Sequence, residues 1–124
     1  ETQEFIDVGG KEVEGAVMST AFDREKASTP EAQKFLKAYT DEYKSEPSAL
    51  SAMAYDAYLI TVDAIKRANS TDSQKIRDAL AATKDLEAVT GKTTFDKNGD
   101  PIKAAVIKEV KDAKFKYLDF VGVN

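Results

Sequence analysis

Asp56 and Asp63 stand seven residues apart, a spacing that puts both carboxylates on one face of a helix and would let them serve as an acid and a base. Nothing beside them in sequence supplies a nucleophile. Solvated helix polarity is the competing reading, with Asp56 also able to cap or bond a neighbouring element. Asp96, Asn98 and Asp100 occupy the first three ligand positions of a calcium loop, but Pro101 stands where such a loop needs its glycine and Ile107 where it needs a bidentate carboxylate. The run is therefore read as a tight turn, for which Asx and Gly tolerate left-handed backbone. Gly9-Gly10 and Gly15 have neither the spacing of a dinucleotide fingerprint nor the Gly-Lys-Ser/Thr ending of a phosphate loop, and they read as turns around a strand. The chain has no cysteine and no histidine, which excludes thiolate nucleophiles, disulfides, Cys/His zinc sites and imidazole bases. No metal and no cofactor is expected.

The elements that would position these residues follow from caps and periodicity. A helical end at Phe5 to Val8 is broken by Gly9-Gly10, and the apolar run 13–20 is expected as a strand. Ser28-Thr29-Pro30-Glu31 carries a helix-start signature, so a helix is expected over 30–44, with Phe35, Leu36, Tyr39 and Tyr43 on its inner side. Pro47-Ser48 restarts the chain. A second helix over 49–68 is apolar around most of its circumference, and only Asp56, Asp63 and Arg67 read as a wet stripe. Thr71-Asp72-Ser73-Gln74 opens a third helix over 72–83. Strands are expected over 92–95, 104–110 and 115–121, joined as antiparallel hairpins.

Length and charge bound the class. The 124 residues suit one ordinary domain, and 18 Lys and Arg against 22 Asp and Glu give a net charge of −4 with the signs interspersed. No stretch combines clustered basic residues with aromatics, so nucleic acid is not an expected partner. Glu1-Thr2-Gln3-Glu4 shows no feature of a signal peptide, and no apolar run approaches the ~20 residues of a membrane span.

Four stretches in order, Gly10-x4-Gly15, Thr29-Pro30-x4-Phe35, Pro47-Ser48-Ala49 with Ala54-Tyr55-Asp56-Ala57, and Thr90-Gly91-x3-Phe95-Asp96-x-Asn98-Gly99-Asp100, resemble the C-terminal third of type I periplasmic binding proteins, nearest the branched-chain amino-acid-binding family. The resemblance implies an α/β chain forming part of a two-lobe fold, with 1–21 in the second lobe, 22–88 in the first and 89–124 back in the second. Hinge crossings are then implied near Phe22 and Val89. It also implies an extracytoplasmic receptor, in the periplasm or as a cell-surface lipoprotein, that is not an enzyme and delivers a small solute such as an aliphatic amino acid to an ABC permease. An extracellular sensor signalling to a partner is the alternative, and a small hydrolase using Asp56 or Asp63 is a third reading. Leu50 is the one position the family places at the ligand, with interhelical core as its competing role. Because the 49–68 helix and the 13–20 strand want partners this chain lacks, an isolated fragment is expected to self-associate, most simply as a two-fold dimer through those elements.

Overall fold

Hydroxyl and carboxylate caps set the helices. In the computed structural model, which describes residues 2–27 and 29–122, Thr29 Oγ1 accepts the Ala32 N–H at 3.0 Å and Pro30 takes the first turn of the long amphipathic helix. Helices are α1 Gln3–Gly9, α2 Pro30–Tyr43, α3 Ala49–Ala68 and α4 Ser73–Ala81, and a short 3-10 helix spans Gly10–Val13. The Ser28 part of the expected signature lies outside the described residues. Ser48 caps α3 through the Ser51 N–H and Asp72 caps α4 through the Lys75 N–H. Lys44 and Asn69 end α2 and α3 in left-handed conformation, each closing the last turn with its own N–H.

The strands depart further from expectation. They are β1 Val17–Thr20, β2 Leu86–Ala88, β3 Gly91–Phe95, β4 Pro101–Ile102, β5 Ala105–Lys111 and β6 Lys114–Val121. The strand expected over 13–20 starts only at Val17, because Val13 belongs to the 3-10 helix and Gly15 turns the chain at φ 80°. The hairpin expected between 92–95 and 104–110 is not formed. Instead β3 lies between β2 and β4 in one antiparallel sheet, while β5 lies between β1 and β6 in another. The β5–β6 hairpin is present, turned by Asp112 and Ala113, both at positive φ, and it carries a bulge between Ile107 and Lys108.

These sheets divide the elements into two groups. The helices α2, α3 and α4 belong with β2, β3 and β4, and the chain passes to and from the β1-β5-β6 sheet near Ala21 and again at Lys103–Ala104. Val89, expected at the second passage, is 2% exposed and packs in one buried cluster with Phe22, Ala32, Phe35 and Ala52. Phe22 meets Phe35 edge to face at 6.4 Å.

The expected burial of α3 on most sides is not found, and only one line of it is covered. Its buried line is Ala52, Asp56, Ile60 and Ala64, whereas Leu50, Met53, Tyr58 and Ile65 are exposed. Asp56 is only 3% exposed, so the wet stripe is corrected at this position. Its carboxylate accepts the Val89 N–H at 2.6 Å, the Thr90 N–H at 3.0 Å and the Thr90 hydroxyl at 2.5 Å, and it pairs with Lys103 Nζ at 3.3 Å. Asp63 is half-exposed and bonds Arg67 at 2.7 Å.

Stability measurements should separate the two aspartates. Asp56→Ala strands two amides and a lysine and is expected to cost about 3–5 kcal/mol, whereas Asp63→Ala removes a half-exposed pair and should cost under about 1 kcal/mol. Urea unfolding followed by circular dichroism reads both, and equal midpoints for the two variants would contradict this assignment.

Candidate functional site

Between the two groups of elements lies a cleft of about 1030 Å³. One wall is the loop into α3, from Glu46 to Leu50, and the facing wall is Lys108 with the start of β6 from Lys114 to Tyr117. The turn Asp23 to Lys26 runs along it. Leu50 is 67% exposed on the first wall. It stands there because the Ser48 cap starts α3 beside the cleft and the register turns position 50 away from the buried Ala52–Asp56 line.

Several of the charges around the cleft are paired. Lys108 Nζ meets Asp23 at 3.0 Å, with both side chains buried. The other Asp23 oxygen accepts the N–H groups of Glu25 and Lys26 at 2.9 and 3.0 Å, which fixes the turn. Arg24 pairs with Glu46 at 3.0 Å and donates to the Pro47 carbonyl at 3.5 Å. Lys26 lies 4.9 Å above the Tyr117 ring. At the rim, Lys116 donates to Asp112 at 2.6 Å; this hydrogen bond, with the Lys116 charge, holds the Asp112 carboxyl below the usual range, and Lys111 and Lys114 add to the effect.

The other sequence candidates fall elsewhere. Asp56 and Asp63 do not line the cleft. Asp96 accepts the N–H groups of Asn98 and Asp100 at 2.8 and 2.9 Å, Gly99 sits at φ 87°, and the segment forms the turn between β3 and β4. Among the described residues no group of three acidic side chains is placed to hold a metal ion. Phe22 and Val89, far apart in sequence, come together in the buried cluster. Asp23, Lys108 and Tyr117 were not singled out from sequence. The signal for Lys108 was present, since it interrupts the apolar face of β5 between Val106 and Val110.

A family model described as periplasmic binding protein matches residues 1–114. The chain belongs to that family. A leucine-binding protein, LivK, from Thermotoga maritima is 37% identical with a TM-score of 0.90, over 98% of this chain and 35% of that one. A putative branched-chain amino acid ABC transporter from Rhodospirillum rubrum is 36% identical, TM-score 0.72, over 95% of this chain and 34% of that one. The branched-chain amino acid substrate-binding protein LivJ from Streptococcus pneumoniae, solved with isoleucine, is 30% identical with a TM-score of 0.82, over 98% and 34%. The chain thus spans about a third of the length of these relatives, and its mixed helices and strands form part of the type I periplasmic-binding-protein fold.

The Asp112–Lys116 contact gives a pH test at the cleft rim. A folded-state pKa held below the usual value means the contact contributes fully above the ordinary aspartate range and is lost as pH falls through the lowered pKa. Carboxyl NMR should find Asp112 titrating below the usual aspartate value, and Lys116→Met should return it toward that value; an unchanged midpoint would refute the pairing.

Proposed function

We propose that this chain is the C-terminal part of an extracytoplasmic solute receptor, in which two lobes close around a small aliphatic amino acid and present it to an ABC permease. The observation that carries the reading is the 37% identity to a leucine-binding protein over 98% of the chain. The cleft is consistent with it, since it is lined by an exposed leucine and by two ion pairs, Arg24–Glu46 and Asp23–Lys108, whose charges already meet each other. Such a surface suits an apolar side chain, whose burial stabilises by roughly 1.5–3 kcal/mol. The two element groups correspond to portions of the two lobes, and we place the crossings at Phe22 and, after β4, at Lys103–Ala104, with Val89 as packed support. Capture and release make or break no bond. The receptor works outside the cytoplasm, in the periplasm or as a cell-surface lipoprotein; among the described residues no helix is long and apolar enough to cross a membrane.

In the longer receptor, leucine or isoleucine should give saturable heat in calorimetry, and Leu50→Asp should weaken binding by about tenfold or more, equivalent to about 1.4 kcal/mol. The 124 residues alone should give no saturable heat, because most polar groups that replace ligand hydration lie in the other two-thirds. Unchanged affinity in Leu50→Asp would place Leu50 outside the contact, and micromolar binding by the isolated chain would contradict the division of the site.

The isolated chain leaves Met53 and Tyr58 of α3 46% and 61% exposed, and among the described residues β1 is an edge strand of its sheet. Self-association through these elements is the expected behaviour, most simply as a two-fold dimer. Light scattering after size exclusion at low micromolar concentration should give the dimer mass. A monomer whose melting midpoint does not depend on concentration would overturn this.

A further inference from the structure

One turn touches both walls of the cleft. Asp23 follows directly on the first passage between the two element groups, and its ion-pair partner Lys108 lies on β5 shortly after the second passage at Lys103–Ala104. The buried pair therefore ties the two passages to each other. From the same turn, Arg24 reaches Glu46 and the Pro47 carbonyl on the Leu50 wall, while Lys26 covers the Tyr117 ring on the β6 wall. The turn is itself held by the Asp23 oxygen that accepts two backbone N–H groups.

We propose that the Asp23–Lys26 turn is a two-sided clasp that sets the aperture of the cleft, with Asp23 and Lys108 as its positioning pair. For its functional meaning this rests on the reading of the cleft as the solute site. Asp23 and Lys108 belong to different groups, so a shift of one group against the other acts on their contact. Parting a carboxylate and an ammonium that are both withheld from water is costly, so the buried pair resists such a shift more than a surface pair would. The Arg24 and Lys26 contacts are more exposed and yield more easily, which makes them a graded second restraint. A preset aperture leaves less ordering to be done when a solute binds, so loosening the clasp weakens binding without removing any solute contact.

The chain's lack of cysteine allows a direct test. Spin labels at Glu12→Cys and Glu42→Cys, both exposed and one in each element group, report the distance between groups by pulsed dipolar spectroscopy, with labelled chain diluted into unlabelled. The parent should give one narrow distribution. Asp23→Asn combined with Lys108→Met, which removes both charges with little change in size, should broaden it. Arg24→Ala combined with Lys26→Ala, at the exposed end of the clasp, should broaden it less, and Lys37→Ala, whose ion pair lies wholly within α2, should leave it unchanged. If the buried double variant does not fold, the Arg24/Lys26 variant decides alone. Unchanged widths in the folded clasp variants overturn the proposal. In the longer receptor the folded clasp variants should bind leucine about fivefold more weakly or worse, and parent affinity in a variant of broadened aperture would likewise overturn it. Absence of leucine binding in the parent receptor would instead sink the solute reading, and the distance widths would still judge the clasp.

Discussion

The Asp56 carboxylate, buried on the inner side of α3, has to be neutralised where it stands, because an unpaired charge there would cost several kcal/mol. Two backbone amides, one hydroxyl and one ammonium converge on it from the β2–β3 turn and from Lys103. That requirement fixes which side of α3 faces its own chain. It also docks the β2-β3-β4 sheet against the helix and holds the residue from which the chain departs for β5. Around it the inner line is completed by Ala52 and Ala64, whose small side chains let neighbouring elements approach closely. A polar contact thus does the orienting, and apolar packing of Phe22, Phe35 and Val89 fills the adjoining space.

A second aspartate and lysine, Asp23 and Lys108, repeat this chemistry in a different place. Asp56–Lys103 lies within one element group and reaches its last residue. Asp23–Lys108 spans the two groups. Both pairs are shielded from water, yet only the second joins one group to the other. Rigidity up to the edge of a passage and a restraint across it are complementary, because a hinge acts as one only when the bodies on either side do not deform.

Local signals read well from the sequence wherever the determining atoms are close in sequence. Three helix starts were legible because caps bond amides within three residues, although the box opening on Thr71 is replaced by a cap at Asp72, one residue on. The β5–β6 hairpin was legible for the same reason, as was the Asp96 to Asp100 turn. Strands of three and two residues, β2 and β4, are too short to show alternation, so the partner of β3 was misassigned. At Asp56 the wet-stripe reading failed and the alternative, a bond to a neighbouring element, held, because periodicity alone does not tell which side of a helix turns inward. Here the side holding Asp56 turns inward, and its partners lie 33 to 47 residues away. In the cleft, Leu50 was found through family resemblance, while Lys108 left a mark in the strand pattern that gains meaning only once Asp23 is seen across from it.

The outward face of α3 connects the fold to the site. Leu50, Met53, Ala57, Tyr58 and Ile65 recur at helical spacing along one side, and that side leads directly into the cleft at Leu50. Apolar surface of this extent is costly to leave in water. In the proposed receptor, whatever covers Met53 to Ile65 must end beside Leu50, so the cover of the helix and the next portion of the cleft wall are contiguous. The buried Asp56 line serves that arrangement: by binding α3 to its own chain with polar contacts on one side, it leaves the apolar side for the cover and the solute together. One helix thus has two unlike faces, an inner face anchored through Asp56 and an apolar outer face that, in the proposed receptor, is left for the remainder of the lobe and, at its first turn, for the ligand.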